Sequence, residues 1–373
     1  MDLSKARIGL SLSGGGIRAA IFHLGVLKYL AEAKLFGQIT SLSSVSGASL
    51  CIGVIIAANG NKWPTGDEFL QSVLPKVREI ILQHNIQDSA LKRLPFSPYL
   101  WWNSKVELVA QMLEKKWGIK GSLQDMPRKP FWEINCTTYE TGKSFRIRWD
   151  FMGDHRIGYT QNPNLPISHM MAASAGFPVL IGPYTLKTEG MRWTRDKWGE
   201  KEEVNVGPKY TLWDGGVYDN LGLEALYKIG RGLDAEIDFL IVSNAAASIS
   251  YKERKRSVSA SNMIRLLDIA MSQVDSLRSR EILASVVREG KGMYLKIGNS
   301  AAKIAEAFNI PTSEAERAVG SSLTPQDVEL VRKYPTTLKS PTPEDFERIL
   351  QHGYENVKYV HFFSERKRLV MYI

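Results

Sequence analysis

The chain of 373 residues is 44% hydrophobic and 23% charged, which excludes global disorder and suffices for one large α/β domain with appendages or for two smaller domains. Its 48 Lys and Arg residues against 39 Asp and Glu give a net charge of +9, which favours an anionic contact such as a lipid headgroup or a nucleic acid. The longest apolar stretches, such as Leu50 to Ala58, fall well short of the roughly 20 residues that cross a bilayer.

The N-terminal residues lack the basic and apolar regions and cleavage site of a secretory signal, so an intracellular protein is expected. Arg7 to Ser13 reads as a buried strand, Gly14-Gly15-Gly16 as a turn, and Ile17 to Ala33 as an amphipathic helix. The same grammar returns at once: Ile39 to Val45 is strand-like, Ser46-Gly47 turns, and Ala48 to Ala58 suits a buried helix. Two such units in succession point to a parallel sheet with helices on its faces. Residues 62–120 look mainly helical, interrupted by Pro95 to Trp102, which reads as a lid-like loop. Further strands are expected at Phe131 to Cys136, Ser144 to Trp149, Tyr210 to Trp213 and Phe239 to Val242, for a sheet of about five or six strands.

Thr185 to Pro208 is polar and aperiodic, and is expected to be a surface excursion. Beyond the charge run Lys252 to Arg256, a long helix carries Met263, Leu267, Ala270, Val274 and Leu277 at helical spacing, a stripe expected to pack into the core. Thr324 to Lys333 and Pro343 to Tyr359 are amphipathic helices, each announced by a Thr-Pro pair. The expected division is a core over residues 1–250 and a mainly helical extension over 251–373.

Cys51 and Cys136 lie in apolar surroundings without ligand spacing, as reduced core thiols do. None of the six histidines forms a metal-binding pattern, and no acidic loop has calcium-ligand spacing, so no metal or other cofactor is expected. Ser46 sits at a strand-to-helix turn between small residues, Ser44 and Ala48, where a sharp bend projects a nucleophile above the sheet edge. Gly14, Gly15 and Gly16 offer unhindered amides at a helix start, fitting an oxyanion or a phosphate. Asp214 ends a strand before Gly215-Gly216, and at the carboxyl edge of an open sheet it can stand beside Ser46 as a base. By itself the Asp-Gly pair also suits a plain turn.

Together, Gly14-Gly15-Gly16-x-Arg18, the Ser46 elbow and Asp214-Gly215-Gly216, in this order, resemble the patatin-like phospholipases. Ala172 to Pro178 and Asp219 to Leu223 are similar too, so the likeness covers roughly Arg7 to Val242. The resemblance implies an α/β, three-layer fold with a mainly parallel central sheet and a C-terminal helical extension. It also implies a Ser46–Asp214 dyad without histidine, an oxyanion site at Gly14, Gly15, Gly16 and Arg18, and cleavage of acyl esters of membrane phospholipids through an acyl-enzyme. A membrane phospholipid or other acyl lipid is the implied substrate, met by transient contact at the inner face of the membrane, with no nucleic acid. Some bacterial members are anti-phage effectors switched on by a nucleotide activator; that variant, and a catalytically silent lipid- or nucleotide-binding protein, are the alternatives.

Overall fold

The computed structural model describes residues 2–87, 105–178, 181–247, 249, 251, 260–311, 313–314, 317 and 323–365. The tract Pro95 to Trp102 and the charge run Lys252 to Arg256 lie outside the described residues.

Two strand–turn–helix units open the chain, β1 (Ile8–Leu12) with α1 (Gly16–Glu32) and β2 (Ile39–Val45) with α2 (Gly47–Ala58). A short α3 (Gly66–Glu68), begun by a reciprocal Thr65–Glu68 cap, passes through a wide turn at Phe69–Val73 into α4 (Leu74–Gln83). α5 (Lys105–Trp117) leads to β3 (Phe131–Thr138), β4 (Lys143–Ile147), β5 (Phe151–Asp154) and β6 (Gly158–Gln161). After α6 (Ile167–Ser174), β7 (Tyr184–Lys187) pairs with β8 (Lys209–Asp214), and a single turn, α7 (Gly216–Asp219), follows. The small pair β9 (Tyr227–Lys228) and β10 (Gly232–Leu233) precedes β11 (Phe239–Asn244) and α8 (Ala260–Ile282). The chain continues through β12 (Gly292–Lys296), α9 (Ala301–Ala307), α10 (Pro325–Lys333) and α11 (Pro343–Ser364).

The expected α/β architecture is present, with a ten-stranded sheet in the order β12-β11-β1-β2-β3-β4-β5-β6, β8 joining β3 and β7 joining β8. β12, β11, β1, β2 and β3 run parallel and lead to the glycine loop and Ser46; the remainder, with Asp214 at the end of β8, is antiparallel. The sheet exceeds the expected five or six strands because β5, β6, β7 and β12, of four or five residues each, are too short for a clear period. Alternation along β11 separates two cores: Phe239 and Ile241 join the cluster under α1, α2 and α11, whereas Leu240 and Val242 meet Leu221, Leu223, Ile282 and Val286.

The C-terminal third is woven into this frame. β12 pairs with β11 at the sheet edge, and α11 lies along α1 where Gly25 and Gly353 permit close approach: a Cβ at Gly25 would stand 2.0 Å from the Leu350 carbonyl oxygen, and one at Gly353 would stand 2.0 Å from that of Phe22. As expected, Thr324 and Thr342 cap α10 and α11, each accepting an amide hydrogen bond of 3.1 Å. The expected surface excursion also folds inward in part, since Trp193 and Thr194 are buried and Thr194 bridges Tyr159 and Glu203.

The stripe on α8 is a correction. Met263 and Leu277 are each 60% exposed and Ala270 also faces outward, whereas Ile264, Asp268, Met271 and Asp275 face a cavity. Apolar spacing identified a helix but not which side faces in, because a cavity wall tolerates polar residues that a packed core would reject.

Candidate active site

β2 and β8 share one edge of β3 and approach each other head-on, with Val45 opposite Asn135 and Asp214 opposite Cys136. Adjacent register positions on one strand thus bring the residue after β2, Ser46, to the end of β8. Ser46 adopts φ 53° and ψ −119°, a conformation that an L-residue holds only under constraint, at a cost of roughly 1–3 kcal/mol. Its amide donates to Ser174 Oγ at 3.0 Å, and a Cβ on Gly47 would lie 2.1 Å from the Gly16 carbonyl oxygen, so only glycine fits where the two helix starts meet.

A directed hydrogen-bond chain holds this elbow. The Asn135 carbonyl can only accept, so Ser174 donates to it at 2.8 Å; Ser49 then donates to Ser174 and Ser44 to Ser49, at 2.9 Å each. Trp132 Nε1 closes the chain by donating to Ser44 Oγ at 2.7 Å. Ser44 is therefore more than a small residue, and Ser49 and Ser174 are supports that elbow spacing does not reveal. Only the family-like stretch Ala172 to Pro178 signalled Ser174.

Asp214 is buried, and its Oδ1 accepts the Gly216 amide at 2.8 Å, so the turn and the site coincide. Burial pushes the Asp214 carboxyl up from 3.8 to about 7, against the opposing pull of the Gly216 amide and a hydrogen-bonding approach of the Ser46 hydroxyl. Thr137 Oγ1 donates to its carbonyl at 2.9 Å, and its own amide donates to Gly176 at 3.1 Å, fixing the strand end.

The three glycines differ. The Gly14 amide donates to the Asn220 carbonyl at 3.1 Å, while the amides of Gly15 and Gly16 have no hydrogen-bond acceptor among the described residues. Thr337 braces the loop from outside, taking the Ile17 amide at 2.8 Å. Arg18 is buried: its guanidinium donates to the carbonyl oxygens of Ala245, at 3.2 and 3.3 Å, and Tyr334, and it does not line the cavity. Arg18 thus ties the glycine loop to β11 and the segment before α11.

Behind the loop, His23 Nε2 donates to the Ser13 carbonyl at 2.9 Å, which leaves Nδ1 to accept from Ser243 Oγ at 2.9 Å. Burial pushes His23 down to about 4, so the ring is neutral near pH 7. All six histidines are described, and none lines the cavity at Ser46. Cys51 and Cys136 are buried free thiols, and no cluster among the described residues could hold a metal.

Ser46, Asp214 and the three glycines line one cavity of about 740 Å³. Leu108 and Val109 of α5, with Phe177 and Ile181, give it an apolar wall, and the inward face of α8 gives it a mixed one. Reach, volume and apolar lining suit a chain-bearing ester. Among the described residues, no helix is long and apolar enough to cross a membrane.

The family model described as "Patatin-like phospholipase" matches residues 10–227, more than half of the chain. No curated protein matches by sequence. Among solved structures, human GIVD cytosolic phospholipase A2 aligns with 97% of this chain and 61% of its own at 14% identity and a TM-score of 0.55. The same human protein in complex with methyl gamma-linolenyl fluorophosphonate and terbium chloride aligns with 98% and 60%, at 14% identity and a TM-score of 0.52. The chain thus spans about 61% of the length of the human protein, and a likeness at this identity is one of fold.

Proposed function

The chain belongs to the patatin-like phospholipase family, and from that premise we propose that it is a lipid acyl hydrolase acting through a Ser46–Asp214 dyad. The observation that carries this reading is the meeting of a strained serine, a buried carboxyl and two glycine amides that are unengaged among the described residues, in a cavity that no histidine lines.

In the proposed reaction, ionised Asp214 takes the Ser46 proton as Oγ attacks the ester carbonyl. The tetrahedral oxyanion is held by the amides of Gly15 and Gly16, a contribution of roughly 3 kcal/mol per donor in such sites. Gly14 acts by packing rather than by donation, and Arg18 by fixing the loop. Asp214 then returns the proton to the leaving alcohol, leaving an acyl-Ser46 ester that water cleaves by the same route in reverse. A carboxyl near pH 7 is a better matched base than an ordinary aspartate, because its proton affinity lies closer to the working pH.

The apolar residues Leu108, Val109, Phe177 and Ile181 support a fatty-acyl chain as the acyl part. Exposed Met263, Leu266 and Leu277 on the outer side of α8, the helix that walls the cavity, support contact with a lipid surface. The test is fatty-acid release from mixed phospholipid vesicles, with products identified by mass spectrometry, together with labelling by a fluorophosphonate. Wild type is expected to release fatty acid and to carry the label on Ser46, and Ser46→Ala to do neither. Undiminished release by folded Ser46→Ala would overturn the assignment.

A further inference from the structure

α8 begins beyond residue 227, where the family match ends, yet it contributes a wall of the cavity. Asp275 is the feature of that wall that the dyad chemistry leaves without a role. Its Oδ2 receives only a long contact of 3.5 Å from Asn220 Nδ2, and its buried Oδ1 has no hydrogen-bond partner among the described residues. Asn220 has a second task in the site: its side-chain oxygen occupies the space that a Cβ at Gly14 or Gly216 would need, and its carbonyl accepts the Gly14 amide. Two cations, Lys296 and Arg278, favour the ionised form of Asp275, but neither hydrogen-bonds it, and Arg278 pairs with Asp219 at 3.6 Å and Glu224 at 3.1 Å.

A buried carboxyl oxygen without a partner destabilises the folded chain, so such an atom in a cavity calls for a ligand group. Burial first, and Asp219 second, push Asp275 up to about 7, which leaves both protonation states populated near neutrality. A hydroxyl serves both states, donating to the carboxylate or accepting from the acid, whereas an ammonium suits only the ionised form. Leu108, Val109 and Phe177 of the lining suit an acyl chain, and Ser272 and Asp275 stand on the mixed wall that α8 supplies.

We infer that Asp275 is a specificity-determining residue that hydrogen-bonds a free hydroxyl on the alcohol part of the ester, so that partially acylated lipids are preferred over fully substituted ones. This assignment rests on the hydrolase reading above. A site built around a substrate hydroxyl rejects the analogue that lacks it far more strongly than an apolar pocket rejects a missing methylene.

The experiment compares kcat/KM on 1-acyl lysophosphatidylcholine and on its 2-O-methyl ether, for wild type, Asp275→Leu and Asp275→Asn. Wild type is expected to prefer the free hydroxyl by about tenfold or more. Asp275→Leu should bring the two substrates within about twofold by losing activity on the hydroxyl substrate alone, with fluorophosphonate still labelling Ser46. Asp275→Asn, which conserves volume, should narrow the preference and serves where the leucine variant folds poorly. Cleavage of both esters by wild type without discrimination overturns the role of Asp275 alone, as does a preference undiminished in both variants. No cleavage of either ester, with Ser46 unlabelled, overturns the hydrolase reading and this assignment with it.

Discussion

Replacing Asp214 by Asn is expected to remove turnover and to stabilise the fold. The carboxyl rises from 3.8 to about 7 on folding because burial disfavours its charge. Between those values the folded chain keeps a proton that the unfolded chain has lost, so stability falls as pH rises through the window. The penalty is absent below pH 3.8 and complete above about pH 7, where it amounts to about 4 kcal/mol. Asparagine carries no charge, and its amide oxygen can still accept the Gly216 amide, so most of that penalty should be recovered. Urea unfolding at pH 8 is expected to show Asp214→Asn more stable than wild type by about 2–4 kcal/mol. At pH 4 the two should lie within about 0.5 kcal/mol. A variant less stable than wild type by the same amount at both values would refute the reasoning, since the carboxyl would then act as a structural hydrogen-bonding group and not as a buried charge.

Three further outcomes follow from the same geometry. With Asp214 as base, kcat/KM should rise with pH up to about pH 7 and fall about tenfold per pH unit below it, measured on a soluble acyl ester. Ser46→Gly should be inactive yet more stable by about 1 kcal/mol in thermal unfolding, because glycine accepts the backbone angles that strain serine. Met263→Ser and Leu277→Ser on the exposed side of α8 should change stability by less than about 0.5 kcal/mol, whereas Leu24→Ala in the core of α1 should cost about 2–5 kcal/mol.

What could be read from the chain follows from the range of the interactions. Ser46, Asp214 and the glycine loop were legible because each sits at a strand end where local turn chemistry leaves a mark: a small-residue elbow, an Asp-Gly-Gly, a glycine run. Their convergence depends on β2 and β8 meeting on one edge of β3, a pairing that no local pattern encodes. Arg18 was visible as part of the loop, but its partners Ala245 and Tyr334 lie more than two hundred residues away, so its buried, bracing role could not be read from spacing. Sequence separation likewise hid Thr337, the chain from Trp132 to Ser174, whose longer links span 39, 88 and 125 residues, and Asp275. On α8 the apolar spacing gave the helix and misplaced its inward side, because a cavity wall holds acids and apolar residues on one face. The short strands β5, β6 and β7 owe their state to neighbouring strands and not to their own composition.

The most direct test of the account is fatty-acid release from phosphatidylcholine vesicles at pH 8 by wild type, Asp214→Asn and His169→Gln, with folding checked alongside. A dyad without histidine expects Asp214→Asn to lose at least about a thousandfold in rate, with His169→Gln within about twofold of wild type. Near wild-type release by Asp214→Asn would contradict it.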